Sequence, residues 1–255
     1  MKPIGGEIAL KKTPYQSFFT DSGRSSLRLF FRSEDYRNKK VLLPDFFCGI
    51  IEQILIEEKV SYDFYTVKND FTIDYNDINS STFDILYVIN YFGKITSLKQ
   101  INLKNKILLE DNVFLIHFKN RHKAKQWFGF NSFRKITSLS DGSLIKTNLK
   151  INQTLINPIN ANFVEAKVKA SLIKFQFLKM KEYSEKEYLE LFKKGEEEID
   201  MQNNIYTISP KSLYLLESIH FKKLNKIAKK DFINLKNILL QQIKIQKIIH
   251  FLLLT

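Results

Sequence analysis

A single cysteine, Cys48, stands among 255 residues. That excludes an internal disulfide and points to a reducing, cytoplasmic setting. Cys48 itself is expected as a small buried apolar residue rather than a thiol nucleophile. No stretch reaches the ~20 uninterrupted apolar residues of a membrane span. The opening Met1-Lys2-Pro3-Ile4-Gly5-Gly6-Glu7 lacks the apolar run of a signal peptide. The chain has no Walker loop, no G-x-G-x-x-G and no G-x-S-x-G elbow. It has no zinc-finger or RNA-recognition pattern, no internal repeat and no low-complexity linker. His117, His122, His220 and His250 show no metal-ligand spacing with Cys or carboxylates, so no metal site is expected.

What the chain does have is positive charge, with Lys+Arg outnumbering Asp+Glu by 40 to 27 for a net +13. The basic residues are spread along its length, as in Lys222-Lys223 and Lys229-Lys230. Dispersion of this kind argues against a nucleic-acid interface, while a positive surface suits anionic small substrates such as nucleotide-linked ones. At 44% hydrophobic residues the chain can bury one large domain, or a domain and a half.

From Lys40 to Thr147 short apolar runs alternate with amphipathic segments. Lys40-Val41-Leu42-Leu43 is a strand ended by Pro44, and Ile50 to Ile56 has helical spacing. Tyr62 to Val67, Ile85 to Ile89 and Ile107 to Leu109 are further strands. Continuous apolar strands belong to a sheet covered on both faces. Strands alternating with helices predict an α/β layered domain with a mostly parallel sheet, whose ligands gather at the carboxyl ends of the strands. Beyond Asn148 the pattern turns helical. Val164, Val168, Leu172 and Phe175 share one spacing, Gly195 interrupts the run, and Glu196-Glu197-Glu198 is expected as a solvated face. A second helical region is expected from about Lys211 through Leu254.

Several residues fall where chemistry is expected. Asp21-Ser22-Gly23-Arg24-Ser25-Ser26-Leu27 precedes a short amphipathic run, Leu27 to Phe31, and a Ser/Gly turn at a helix start suits a phosphate. An ordinary N-cap explains the same residues. Phe46 follows a strand, where an aromatic can stack on a flat cofactor, although taken alone it is expected as a core residue. Glu110-Asp111 ends one buried strand and Lys135 lies just past the end of another. The pair suits a pyridine aldehyde: the lysine amine forms a Schiff base and the carboxylate keeps the ring nitrogen protonated. Taken singly, the acids are a salt-bridged loop pair and Lys135 is a surface lysine.

Taken in order, these segments resemble the DegT/DnrJ/EryC1/StrS group of pyridoxal-phosphate-dependent aminotransferases, especially those linked to surface-polysaccharide sugars. The matching segments are Ile4-Gly5-Gly6-Glu7, Ser22-Gly23-Arg24-Ser25-Ser26-Leu27, Leu43-Pro44-Asp45-Phe46-Phe47-Cys48, Asn90-Tyr91-Phe92-Gly93, Leu109-Glu110-Asp111-Asn112, and Ser132-Phe133-Arg134-Lys135 with Asp141-Gly142. They are collinear over most of the first two hundred residues. The resemblance implies a fold-type-I large domain over residues 1–205, with a mostly parallel sheet flanked by helices. A helical segment, 206–255, would begin a truncated small domain. It implies pyridoxal 5'-phosphate as cofactor, held by Gly23, Arg24, Ser25, Phe46, Asp111, Ser132 and Lys135. Lys135 would be the Schiff-base lysine and proton shuttle, and Asp111 the partner of the pyridinium nitrogen. The implied reaction moves an amino group, from glutamate, to a keto group of a nucleotide-linked sugar in a cytoplasmic homodimer. One departure is Phe114, where the family commonly carries Gln or His. Another is the apolar tail Ile248 to Leu254, which has no counterpart in the family.

Overall fold

The computed structural model describes residues 15–218. The Ile4-Gly5-Gly6-Glu7 motif, His220, His250 and most of the expected second helical region lie outside the described residues. In chain order the elements are β1 (Gln16–Thr20), α1 (Gly23–Arg32), β2 (Val41–Pro44), α2 (Gly49–Glu57), β3 (Tyr62–Tyr65), α3 (Tyr75–Ser80), β4 (Ile85–Ile89) and β5 (Ile107–Asp111). There follow β6 (Gln126–Phe130), β7 (Ser143–Thr147), β8 (Ile156–Asn157), α4 (Ala161–Met180), α5 (Glu185–Asp200), β9 (Ile205–Tyr206) and α6 (Pro210–Ser218). A compact unit closes at Tyr214.

Seven strands form one sheet in the order β1-β7-β6-β5-β4-β2-β3. The pairs β2–β3, β2–β4, β4–β5 and β5–β6 are parallel. β7 runs antiparallel to both β6 and β1. Two reversals cancel, so β1 points the same way as β2 through β6. The expected mostly parallel sheet flanked by helices is therefore present, and it gathers the ends of β1, β2, β4, β5 and β6 and the start of β7 on one edge.

Side chains alternate across the strands to give a core on each face. Leu27, Leu29 and Phe30 of α1 and Ile51, Ile54 and Leu55 of α2 pack with Val41, Ile85, Tyr87, Leu109 and Phe128. On the other face Leu42, Leu86, Val88, Leu108 and Trp127 pack with Ile78 of α3. Every residue of β4 and of β5 is buried, as a doubly covered central strand requires. α1 is buried almost all round, from Ser25 to Phe31, rather than along one stripe.

Two expectations are corrected. Gly195 does not interrupt the helical run, because it sits inside α5. The break falls at 181–184, where Lys181 and Tyr183 take left-handed backbone and Ser184 begins α5 with a capping box to Glu187. The buried face of α4 is Phe163, Ala166, Ala170 and Ile173, which leaves Leu172 and Phe175 exposed. Cys48, expected inside, is exposed at the N-cap of α2.

Candidate functional site

The turn from β1 into α1 is built from buried polar groups. Ser22 is the N-cap: its Oγ accepts from the Ser25 N–H at 3.2 Å and donates to Asp21 Oδ1 at 2.9 Å. Thr20, Ser26 and Ser143 continue a buried hydroxyl chain at 2.8 Å spacings. Gly23 lets the helix start lie against the sheet, since a Cβ there would come within 3.3 Å of the Phe130 ring. The end of α5 closes over this turn. Gln202 Nε2 donates to Asp21 Oδ2 at 2.9 Å and to Ser25 Oγ at 3.0 Å, and Arg24 pairs with Asp200. Burial pushes the Asp21 carboxyl up to about 6, against the bonds from Ser25, Gln202 and Ser22, and the Asp141 charge adds to the rise.

Asp111 ends β5 on the face covered by α1 and α2. Its Oδ2 accepts from the Tyr87 hydroxyl and its Oδ1 from the Val113 N–H, each at 2.9 Å. Burial pushes this carboxyl up to about 6 despite both bonds. Its neighbour Glu110 points to the opposite face. There it accepts from Asn90 Nδ2 and Trp127 Nε1, each at 2.8 Å, with His122 Nε2 4.0 Å away. Neither acid sits in a loop; both are strand residues serving different faces. Asn90 also donates to Asn112 at 2.7 Å and accepts from the Thr96 N–H at 2.8 Å, locking the ends of β4 and β5 together.

Phe46, after β2, is not a core residue: it is 57% exposed. The Tyr91 hydroxyl donates to the Phe46 carbonyl and fixes that turn. The Phe46 ring lies 5.8 Å from both Phe71 and Tyr91, and Phe71 lies 5.1 Å from Phe92. Phe92 stacks on Phe114 at 5.9 Å and 20°. Phe92 has a φ of 52°, a left-handed backbone that a bulky residue adopts only at a cost. Phe114 thus packs as the end of an aromatic row.

Beyond β6, Ser132 is buried and its hydroxyl caps no helix. Lys135 ends the short 3-10 turn Phe133–Lys135 and is exposed. Its ammonium makes no hydrogen bond or ion pair among the described residues. It lines a groove of about 610 Å³ against α4 and α5. Gly142, before β7, has a φ of 117°, and a Cβ there would meet Ile208 at 2.7 Å. Asp141 accepts from the Ser209 N–H and hydroxyl at 2.6 and 2.8 Å.

One sheet edge therefore carries every expected site residue. The structure brings Gly23 against β6, makes Asp111 the last residue of β5, and sets Lys135 five residues past β6, in the groove against α4 and α5 and without an ion pair to Asp111. It commits Arg24 and Ser25 to partners from the end of α5. Sequence reasoning missed Tyr87 and Gln202 and gave Asp21, the first residue of the turn, no role. Only Asp21, a carboxylate at the strand end before the turn, carried a local signal.

No family model matches this sequence, nor does any curated protein. Among solved structures the chain is similar to PseC of Helicobacter pylori, an aminotransferase involved in the biosynthesis of pseudoaminic acid. That match has 18% identity over 53% of this chain and 40% of that one, with a TM-score of 0.45. NtdA from Bacillus subtilis, solved with bound cofactor PMP, matches at 14% identity over 63% and 36%, TM-score 0.46. A DegT DnrJ EryC1 StrS aminotransferase from Brucella abortus matches at 15% identity over 52% and 42%, TM-score 0.42. The chain thus spans 36% to 42% of the length of these three proteins.

Proposed function

We propose that this chain is the cofactor-binding part of a pyridoxal-phosphate-dependent aminotransferase. It would pass an amino group from glutamate to a keto group of a nucleotide-linked sugar for surface polysaccharide, as a cytoplasmic homodimer. In this reading residues 1–205 form the large domain and 206–255 begin a small one. The observation that carries it is Asp111 buried at the carboxyl end of β5, on the edge where α1 begins, with Lys135 in the turn that follows the neighbouring parallel strand β6.

The ring side of such a cofactor fits the residues present. Asp111 is a buried acid whose raised affinity for a proton falls when a cation is placed beside it, so a protonated ring nitrogen is the natural counter-ion. Tyr87 and the Val113 N–H hold that carboxylate in one orientation. Phe46 offers an exposed ring face. Lys135 has an uncommitted amine for covalent anchoring of the aldehyde and, once freed, for carrying a proton. When bound, the cofactor supplies an electron-withdrawing pyridinium that eases proton removal from the amino-bearing carbon. On the phosphate side Ser132 and the first N–H groups of α1 would serve with Gly23, Arg24 and Ser25, for which Gln202 and Asp200 must release their partners.

A second reading is favoured by that engagement and by Phe114: a cofactor-binding scaffold without turnover. Adding pyridoxal 5'-phosphate to purified protein and recording visible absorbance, with Lys135→Ala beside it, tests both. Absorbance lost in the variant, with amine transfer from glutamate, supports the enzyme. Absorbance without transfer supports the scaffold. A protein that stays colourless refutes both.

A further inference from the structure

The outer end of the α4–α5 pair has no cover among the described residues. At the inner end the two helices interlock: Phe163, Ala166 and Ala170 are buried, and a Cβ at Gly195 would sit 2.6 Å from Lys167 Cδ. The missing side chain is the slot in which that lysine stem lies. Farther out, Ile173 is the last buried residue of α4 and Tyr188 the first of α5, with the Phe177 ring 5.6 Å from Tyr188. Beyond them every residue from 178 to 187 is exposed.

α4 carries a second apolar face, turned away from the buried one. Val164, Val168, Leu172, Phe175 and Leu178 fall at i, i+4, i+8, i+11 and i+14. They cover an arc of about 120° that runs roughly 21 Å along the helix. The valines are half-buried, whereas Leu172, Phe175 and Leu178 are 56%, 52% and 54% exposed.

Charge is arranged around that face. Lys169 and Lys174 flank it on opposite sides, and Lys179 and Lys181 stand at its outer end. From 161 to 184 the chain holds five lysines against two acids, Glu165 and Glu182, so this stretch is basic. The acids of α5 are committed elsewhere. Glu185 accepts from the Tyr188 hydroxyl, Glu187 caps α5 through Ser184, Glu190 pairs with Lys186, and Glu196 holds Arg134 and Lys167. Lys169, Lys179 and Lys181 have no ion pair among the described residues.

Size and sign decide what fits. The exposed parts of Leu172, Phe175 and Leu178 amount to a few hundred Å², short of the ~800 Å² a side that a stable pair of protein chains buries. The stripe is about two heptads long, where a coiled coil needs about three or four. A lipid surface needs no matching shape. It offers an apolar layer to the exposed side chains, and anionic head groups give the lysines the counter-charge they lack. Lysine stems can lie along the boundary with their ammonium groups among the head groups. With its own lysines α4 would lie in such a surface, and no helix among the described residues is long and apolar enough to cross a membrane.

We infer that the outer end of α4 docks this chain on an anionic phospholipid surface. Leu172, Phe175 and Leu178 sit at the acyl boundary, and Lys169, Lys179 and Lys181 sit among the head groups. The inference stands apart from the cofactor reading, because it needs neither pyridoxal 5'-phosphate nor Lys135.

Flotation of the full chain tests it, with vesicles of phosphatidylcholine alone and of phosphatidylcholine mixed equally with phosphatidylglycerol. The protein should float with the mixed vesicles only, and less as salt rises. Leu172→Ser, Phe175→Ser and Leu178→Ser together should weaken that binding at least tenfold, as should Lys169→Gln, Lys179→Gln and Lys181→Gln together. All six positions are exposed, and unchanged Trp127 emission shows that the fold survives. Phe175→Trp should add emission that moves to shorter wavelength on the mixed vesicles; emission that stays put refutes the docking. A folded protein that floats with neither kind of vesicle overturns the inference, as does equal flotation with both. Binding that survives either triple variant overturns it too, because the contact then lies elsewhere on the chain. Self-association without vesicles that the serine variant abolishes, with no flotation, makes a second copy the occupant and equally overturns it.

Discussion

Asp111→Asn should make the protein more stable at neutral pH and no more stable in acid. The folded carboxyl titrates at about 6 against an ordinary 3.8, and the cause is burial. Between those values the folded state holds a proton that the unfolded state has released. Stability contributed by the neutral acid is therefore complete below about pH 4 and is lost as pH rises through about 6. A shift of roughly two units corresponds to about 3 kcal/mol lost by neutral pH, at 1.36 kcal/mol per unit. Asparagine carries no charge to desolvate, but its amide cannot serve both the Tyr87 hydroxyl and the Val113 N–H as the carboxylate does. One mismatched bond costs about 1 kcal/mol, which leaves a net gain of about 2 kcal/mol. Trp127, the one tryptophan of the chain and buried, reports unfolding by fluorescence. Urea titrations near pH 4 and near pH 7.5, read as midpoints, measure the difference. A variant that loses stability equally at both pH values would refute the burial argument.

Asp21→Asn should show the same pH window, since burial also pushes Asp21 up to about 6; a gain below pH 4 contradicts this. Arg28 is fully buried, pairs with Glu57 at 2.8 Å and leaves Nε and Nη1 without partners. Glu57→Ala should therefore cost about 3 kcal/mol while Arg28→Met stays within about 1 kcal/mol, and denaturant midpoints that rank them the other way sink the reasoning. Gly129→Ala places a methyl 2.5 Å from the Trp127 ring and should destabilise by about 1–3 kcal/mol, with a shifted Trp127 emission. Gly195→Ala gains about 1 kcal/mol of helix propensity yet should not raise the melting temperature, because Lys167 is displaced from Glu196. A rise of several degrees would show that the stem moves freely.

The central strands were legible because burial on both faces leaves an unbroken apolar run, as in Ile85 to Ile89 and Ile107 to Leu109. β1 and β7 were not, since β7 alternates buried and half-buried residues and β1 has two exposed positions. The end of α4 was legible in principle from Ser184 and Glu187, a capping pair, but Gly195 drew the break instead. A glycine inside a helix is ambiguous from sequence, and here the deciding fact is a lysine on another helix. The positions of Asp111 and Lys135 at one sheet edge followed from strand ends, a local signal. That Gln202 and Asp200 reach back to residues 21–25 is a contact across more than 170 positions, and no periodicity encodes it.

Pairing of β1 with β7 joins Gln16 to Thr147. During synthesis β1 must wait until more than a hundred further residues have emerged before the sheet can accept it. Closure over so long a separation is slow, and the waiting edge of β6 is exposed to wrong pairing. Ribosome-bound intermediates that stop short of residue 143 should accordingly leave residues 16–20 open to protease.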